Sequence, residues 1–347
     1  MNDPMTEAPE RNAMTELASE VPAKDAFPEL TDPYRRELTA HCYRMTGSVH
    51  DAEDLVQETF LRAWKSYESF EGRASLRTWL YRIATNVCLT ALEGDKRRPL
   101  PTGLGTSSSD AGDPLVSNDE ILWLEPAPDA DVLDPADVAA GRSSVRLAFV
   151  AALQHLPARQ RAVLVLREVL AWSAAEVAEE LDMTVAAVNS ALQRARERMG
   201  SVDLDESTLH DPDDAATKEL LDRYVDAFWN KDIKQIVSLL AKDATWEMPP
   251  FVSWYAGAEN IGNLVDRQCP GGVHEMRMLP TSANGQPAFG LYMRRPDGTF
   301  TPFHLQVLEL GEGPDGGPIV QHVAAFFDVA LFKEFGLPAL LPADYGS

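Results

Sequence analysis

GSVHDAEDLVQETFLRAWKSY, residues 47–67, opens with a Ser48-x-x-Asp51 capping pattern and then repeats apolar residues at helical spacing. Ala52, Leu55, Val56, Thr59, Phe60, Ala63 and Trp64 fall on one side, which is expected to face a core. The opposite side carries Asp54, Gln57, Glu58, Leu61 and Arg62, an exposed leucine among charges. Taken alone, such a side is most often a solvated helix surface. The next segment, FEGRASLRTWLYRIATNVCLTALEGDKRRP at residues 70–99, shifts that balance. It again has helical period, with Leu76, Leu80, Ile83, Val87 and Ala91 expected inward. Its remaining surface mixes Arg73, Arg77 and Arg82, which can reach phosphates, with Phe70, Trp79 and Tyr81, on which unpaired bases can stack. Lys96, Arg97 and Arg98 close the segment with a positive patch. Such interleaving suits melted or single-stranded DNA better than an intact duplex.

The whole chain bounds this reading. Its 347 residues, 45% apolar and 24% charged, suit a soluble chain of two or three domains. No apolar run is long enough to span a bilayer and no hydrophobic segment follows a basic start, so neither a membrane nor a secreted protein is expected. Cys42, Cys88 and Cys269 are odd in number and far apart, which supports neither disulfides nor a metal site and fits a reducing cytoplasm. A net charge of -23 would normally argue against a nucleic-acid partner. The distribution of charge points the other way, because residues 34–99 and 142–200 each carry a net charge of +2 within an otherwise acidic chain.

The divisions follow from composition. An acidic tail occupies 1–33, the first helical module 34–99, a linker without Lys or Arg 100–141, a second helical module 142–200, an acidic joint 201–216 and a last domain 217–347. Within the linker, Glu120-Ile121-Leu122-Trp123-Leu124-Glu125-Pro126 is an apolar island that reads as a docking segment centred on Trp123, or as a stray helical turn. In the second module Pro157 suits a helix start and Ser173-Ala174-Ala175-Glu176 is a capping box. After the turn Asp182-Met183-Thr184, a helix is expected to point Val185, Val188, Leu192, Ala195 and Met199 inward. Asn189, Ser190, Gln193, Arg194, Arg196 and Arg198 then face out, as in a helix-turn-helix whose second helix enters the major groove.

In the last domain, three helices are expected, around Leu220–Phe228, Ile233–Leu240 and Ala258–Arg267. Four strand-like runs follow near 274–283, 287–295, 303–311 and 318–328, divided by Asn-Gly and Pro-Asp-Gly turns. Trp246, Met248, Trp254, Tyr255, His274, His304, Gln306 and Asp328 are candidates to line an interior pocket, where a His and an Asp could serve acid-base chemistry. Most such residues are satisfied core groups.

DAEDLVQETFLRAW followed by FEGRASLRTWLYRIATN resembles the second conserved region of bacterial sigma factors of the extracytoplasmic-function (ECF) type, and the capped helical hairpin resembles their fourth region. The resemblance implies that Asp54, Gln57, Glu58 and Leu61 face core RNA polymerase. It implies a minus-ten surface of Phe70, Arg73, Arg77, Trp79, Arg82 and Asn86, in which Phe70 and Asn86 hold a flipped base. It implies that Asn189, Ser190, Gln193, Arg194 and Arg196 read the minus-thirty-five element. Two positions commonly basic in the family are Asn189 and Ala191 here, which removes phosphate contacts.

The last domain is similar to the SnoaL-like fold, a cone with an internal pocket, and Trp123-Leu124-Glu125-Pro126 resembles a linker motif of sigma factors that carry such a domain. The expected fold is therefore mainly α over two helical modules, followed by an α+β cone with a curved antiparallel sheet. The expected partners are the clamp helices of the polymerase beta-prime subunit, the flap of the beta subunit, promoter DNA and a small-molecule ligand of the cone. No cofactor, metal or catalytic residue is implied. Two rivals are a ligand-responsive helix-turn-helix regulator independent of polymerase, and a SnoaL-like enzyme fused to a DNA-binding tether. Neither needs the acid-rimmed helix or the Phe70/Asn86 segment.

Overall fold

The computed structural model describes residues 26–70, 72, 74–94, 97–108, 110–133, 144–200 and 214–345. Arg73, Lys96, most of the acidic tail and most of the acidic joint lie outside the described residues.

The first module is built from α1 (Phe27–Thr31), α2 (Arg35–Thr46), α3 (Val49–Ser66) and α4 (Leu76–Ala91). Gly47 ends α2 in the left-handed conformation at φ +72°, and Ser48 then caps α3 by accepting the Asp51 amide at 3.1 Å. Ala52, Val56, Thr59 and Ala63 form the buried stripe of α3. Trp64, expected inward, is 46% exposed, because it lies past the edge of that stripe. Tyr81, expected as a base platform, is instead buried, and its hydroxyl lies 3.1 Å from the Glu37 carboxylate.

The second module contains α5 (Asp129–Val132) at its approach, then α6 (Leu147–Gln154), α7 (Ala158–Leu164), α8 (Ala174–Glu180) and α9 (Val185–Met199). Ser173 and Glu176 form the expected capping box, and Thr184 caps α9. Val185, expected inward, is 45% exposed at the first helical position, before the buried stripe begins. The modules share one hydrophobic core running through Leu38, Met45, Val56, Leu80, Leu153, Val163, Leu166 and Leu192. Arg161 of α7 is buried across this junction, where its guanidinium donates to the carbonyl of Met45 at the end of α2.

In the C-terminal domain α10 (Ala215–Trp229), α11 (Ile233–Leu239) and α12 (Ala258–Gln268) cover a sheet of β1 (Leu240–Glu247), β2 (Trp254–Ala256), β3 (Met276–Ala283), β4 (Gln286–Arg294), β5 (Phe300–Glu312) and β6 (Pro318–Phe326). The short helix α13 (Leu331–Glu334) follows. This is the SnoaL-like architecture, with strand order β2-β1-β6-β5-β4-β3 and every pair antiparallel except β1 with β6. The strands β1 and β2 add to the four runs expected. β1 begins directly at the end of α11 with no turn residue between them, and β2 is three residues long, so neither leaves a strand signal in the sequence.

Both faces of the sheet are apolar. Trp246, Phe289, Leu291, Leu308, Val323 and Ala325 pack on Leu220, Tyr224, Phe228, Ile236 and Ile261 of the covering helices. Ala288, Leu305, Val307, Ala324 and Phe326 belong instead to the core of the two helical modules. A strand buried on both faces loses the clean alternation of a half-solvated one. This outer face is where the C-terminal domain grips the rest of the chain.

Candidate polymerase and promoter surfaces

On α3, Asp54, Gln57 and Leu61 are exposed, Leu61 by 46%, while Glu58 is half-buried and pairs with Arg62 at 2.6 Å. The helix therefore presents a leucine flanked by acids, one of them neutralised within the helix.

The candidate minus-ten surface is split. Phe70 and Trp79 are half-buried and lie 4.8 Å apart, and Tyr67 completes the ring cluster beneath them. Arg77 is held by Glu37 at 2.6 Å. Arg82 and Asn86, one turn apart on α4, are both engaged by α8 of the second module. Arg82 pairs with Glu179 at 3.5 Å and Glu180 at 3.4 Å, and the Asn86 amide donates to Glu180 at 2.9 Å. Burial raises the Glu180 carboxyl to about 7, against the opposing pull of Arg82 and Asn86. The candidate minus-thirty-five residues Asn189, Ser190, Gln193, Arg194 and Arg196 are all exposed along α9. Gln193 bonds Glu197 at 3.0 Å and Arg196 pairs with Glu168 at 2.7 Å, so both are held on the helix surface.

Over its described residues the linker does not span free space between the modules. Its first half follows the β2 edge of the C-terminal domain, where the Ser108 amide donates to Trp254 at 2.8 Å and the Trp254 indole to Gly105 at 3.0 Å. Its island then returns to the turn between α2 and α3. Leu124 and Pro126 are buried, and a Cβ at Gly47 would stand 2.7 Å from Leu124, so the turn needs both the positive φ and the missing side chain. Glu125 is a hub, with its carboxylate 2.7 Å from the Ser48 hydroxyl, 3.2 Å from His50 and 3.1 Å from Arg98. Trp123, expected as the centre of the docking segment, is only half-buried and its indole donates to Asn118 within the linker at 3.1 Å.

The pocket candidates do not converge. Trp246 and Tyr255 are buried as cross-strand partners of β1 and β2. His304 is buried beside Gln306, whose amide donates to its Nε2 at 2.8 Å while the Gln306 oxygen accepts from Tyr224 at 2.8 Å. Burial drives the His304 pKa down to about 3, consistent with a neutral ring accepting that bond. His274 and Asp328 lie outside the interior. His274 is exposed against the Trp229 ring at 4.9 Å, and Asp328 is an exposed cap accepting the Ala330 amide at 2.9 Å. The strand-like runs of the sequence extend to both residues, whereas each sits just beyond a strand end.

Two polar centres on the outer face carry no recognisable sequence pattern. Asn284, at φ +59° in the β3–β4 turn and fully buried, donates through its amide to the Tyr43 hydroxyl at 2.8 Å and to Val145 at 2.6 Å. Its side-chain oxygen accepts from Ala127 at 2.9 Å, so one side chain joins the first module, the linker and the approach to the second. His322 stands between Glu247 at 2.7 Å and Glu309 at 3.7 Å, with Arg146 on the far side of Glu309 and the Thr102 amide donating to Glu247. The nearest signal is the Asn-Gly dipeptide, which specifies a tight turn and says nothing of its partners.

Residues 30–98 match the model of Sigma-70 region 2 and residues 146–199 that of Sigma-70, region 4. The chain is 55% identical over 316 residues to the ECF RNA polymerase sigma factor SigG of Mycobacterium tuberculosis, covering 90% of this chain and 84% of that one. It is 30% identical over 258 residues to SigJ of the same organism, covering 71% and 76% respectively. The crystal structure of SigJ superposes with a TM-score of 0.57 at 24% identity, over 89% of this chain and 99% of that chain, and shares its fold. With both conserved regions and a relative aligned over most of its length, the chain belongs to the ECF subfamily of the sigma-70 family of RNA polymerase sigma factors.

Proposed function

We propose that this sigma factor docks on the clamp helices of core polymerase through Asp54, Gln57, Glu58 and Leu61, and contacts the beta flap through its second module. It opens the minus-ten element with Phe70, Trp79, Arg82 and Asn86, assisted by Arg73 and Arg77, and reads the minus-thirty-five element with α9. It acts in the cytoplasm by binding alone, with no catalytic step of its own, over the domain divisions at 34–99, 142–200 and 217–347. The C-terminal domain regulates in cis as a scaffold that keeps the modules together.

The observation that carries this reading is the shared core of the two modules and the outer sheet face. The two promoter elements are roughly 25 base pairs apart, about 85 Å at 3.4 Å per pair. Modules joined through Arg161 and Met45 cannot reach both, so the compact chain must open before it engages a whole promoter. A ligand of the cone would act by changing that balance. Run-off transcription with purified core polymerase tests the reading. Leu61→Arg with Glu58→Lys is expected to abolish core binding, and removal of residues 202–347 to raise transcription. Unchanged core affinity in the first, or unchanged transcription in the second, refutes the corresponding assignment.

A further inference from the structure

The two DNA-reading surfaces are not equally available. The five candidate minus-thirty-five residues on α9 are exposed, and the carboxylates met there, Glu197 by Gln193 and Glu168 by Arg196, belong to their own module. On α4, Arg82 is partly covered, and both it and the exposed Asn86 are contacted by carboxylates of α8, which belongs to the other module. Those carboxylates occupy the kind of position a DNA phosphate would take against an arginine and an amide. The Glu180 half of the contact is desolvated, its side chain only 5% exposed and that of Arg82 28%, whereas Glu179 joins it from the rim at 72% exposure. It is also built into the packing, since Val177 and Ala178 of α8 belong to the core shared by both modules and orient the helix. A like-charged pair, Glu179 and Glu180, sits at the end of a short helix whose partial negative charge disfavours it there. Neither carboxylate is favoured by its own helix, and the side chains they meet across the junction are Arg82 and Asn86 of α4.

We propose that Glu179 and Glu180 of α8 form an acidic latch over Arg82 and Asn86, so that the free protein presents its minus-thirty-five helix to duplex DNA while its single-strand surface is closed. This rests on the assignment of Arg82 and Asn86 to the minus-ten surface. It adds an order to promoter engagement: upstream duplex contact is available to the closed chain, and single-strand capture follows only when α8 leaves α4. The latch lies between the two sigma modules, so it is separate from the grip of the C-terminal domain at Asn284 and operates even where that grip is intact.

The test titrates the full-length protein into a fluorescein-labelled, random-sequence single-stranded 12-mer pool and into a random duplex of equal length, reading anisotropy at fixed salt. Glu179→Ala with Glu180→Ala keeps α8 a good helix former. It is expected to bind the single strand at least tenfold more tightly than wild type, with a duplex affinity within threefold. A control, Glu219→Ala with Asp222→Ala on the exposed side of α10, removes the same charge elsewhere and is expected to change single-strand affinity less than twofold. Adding Arg82→Ala and Asn86→Ala to the latch variant should cancel the gain. An unchanged single-strand affinity in the latch variant, with binding still lost on removing Arg82 and Asn86, overturns the latch and leaves the DNA surface standing. A gain that survives loss of Arg82 and Asn86 overturns the DNA-surface assignment, and an equal gain in the α10 control reduces the effect to net charge and overturns the latch. Hydrogen exchange of residues 76–91 without DNA gives a second reading: faster exchange in the latch variant supports the contact, and no change counts against it.

Discussion

His304 on β5 and His322 on β6 occupy opposite faces of the same sheet and are driven in opposite directions. The inner His304 meets apolar rings and a neutral amide, and burial takes its pKa down to about 3. At the outer His322 burial also favours the neutral ring, but Glu247 and Glu309 outweigh it and raise the pKa to about 10. The inner face is a neutral core of a self-contained domain. The outer face is an interface, held by charge and by Asn284, and the difference teaches that the cone meets the rest of the chain through its outer face.

The largest break in that contrast is expected at Asn284. Replacing it with Ala removes the bonds to Tyr43, Ala127 and Val145 together; the Tyr43 hydroxyl keeps its bond to the Glu125 carbonyl, but the buried Ala127 amide and Val145 carbonyl lose their side-chain partner, at a cost on the order of 3–5 kcal/mol. The left-handed conformation at this position adds about 1–2 kcal/mol for a residue with a Cβ that cannot bond locally. Denaturant unfolding should show the helical modules and the cone separating into two transitions, and run-off transcription should rise severalfold. A single transition at the wild-type midpoint would refute the keystone role.

Raising the pH acts next, and within the sheet it acts on the outer face. Because the folded pKa of His322 lies above its unfolded value of 6.5, the ion cluster contributes fully below pH 6.5 and is lost as pH climbs toward about 10. The denaturation midpoint of the wild type should therefore fall between pH 6.5 and 9.5, and that fall should shrink in His322→Gln, the remainder belonging to His50, whose pKa Glu125 and Glu334 also raise. Lowering the pH acts on the inner face with the opposite sign. A folded pKa near 3 means that stability is complete above 6.5 and is lost as pH drops toward 3. His304→Gln should remove only part of that acid loss, since buried His41, paired with Thr85 in the first module, has its pKa lowered to about 3 by burial and by Arg44. An identical acid profile in His304→Gln and wild type would contradict the inner assignment.

The two helical modules are legible in the sequence because caps and periodicity are local. Ser48, Ser173 with Glu176, and the stripes of α3 and α9 depend on residues within a few positions of one another. The misses share the opposite property. Trp64 and Val185 sit at the margins of stripes, where one helical position decides exposure. His274 and Asp328 are polar residues near strand ends, and whether the chain turns before or after them is settled by tertiary contacts. The covering of Arg82 and Asn86 by α8 brings together residues more than ninety positions apart, and no local pattern in either helix announces the other. The outer sheet face is hidden for a related reason: a strand buried on both sides carries no alternation to say what lies against each.

The smallest effect is expected in the linker island, where sequence and structure assign the anchor differently. An indole is the largest apolar group in Trp123-Leu124-Glu125-Pro126 and the natural candidate to dock. Yet Trp123 is half-buried and its indole hydrogen bond stays within the linker, whereas Leu124 is 1% exposed against the α2–α3 turn. Truncating a partly buried indole whose hydrogen bond stays within the linker forfeits less than truncating a core side chain, so Trp123→Ala should cost about 1–2 kcal/mol. Leu124→Ala removes fully buried methyl groups from a site already tight at Gly47 and should cost about 2–4 kcal/mol. It should also weaken the neighbouring Glu125 hub, because Leu124 sets the register in which that carboxylate meets Ser48, His50 and Arg98. The comparison is made on thermal midpoints of the two single variants, with transcription measured in parallel. Leu124→Ala lying nearer the Asn284→Ala variant in both readouts, with Trp123→Ala nearer wild type, would place the linker's grip on the first module. The reverse order would return the anchor to Trp123 and to the linker's own fold.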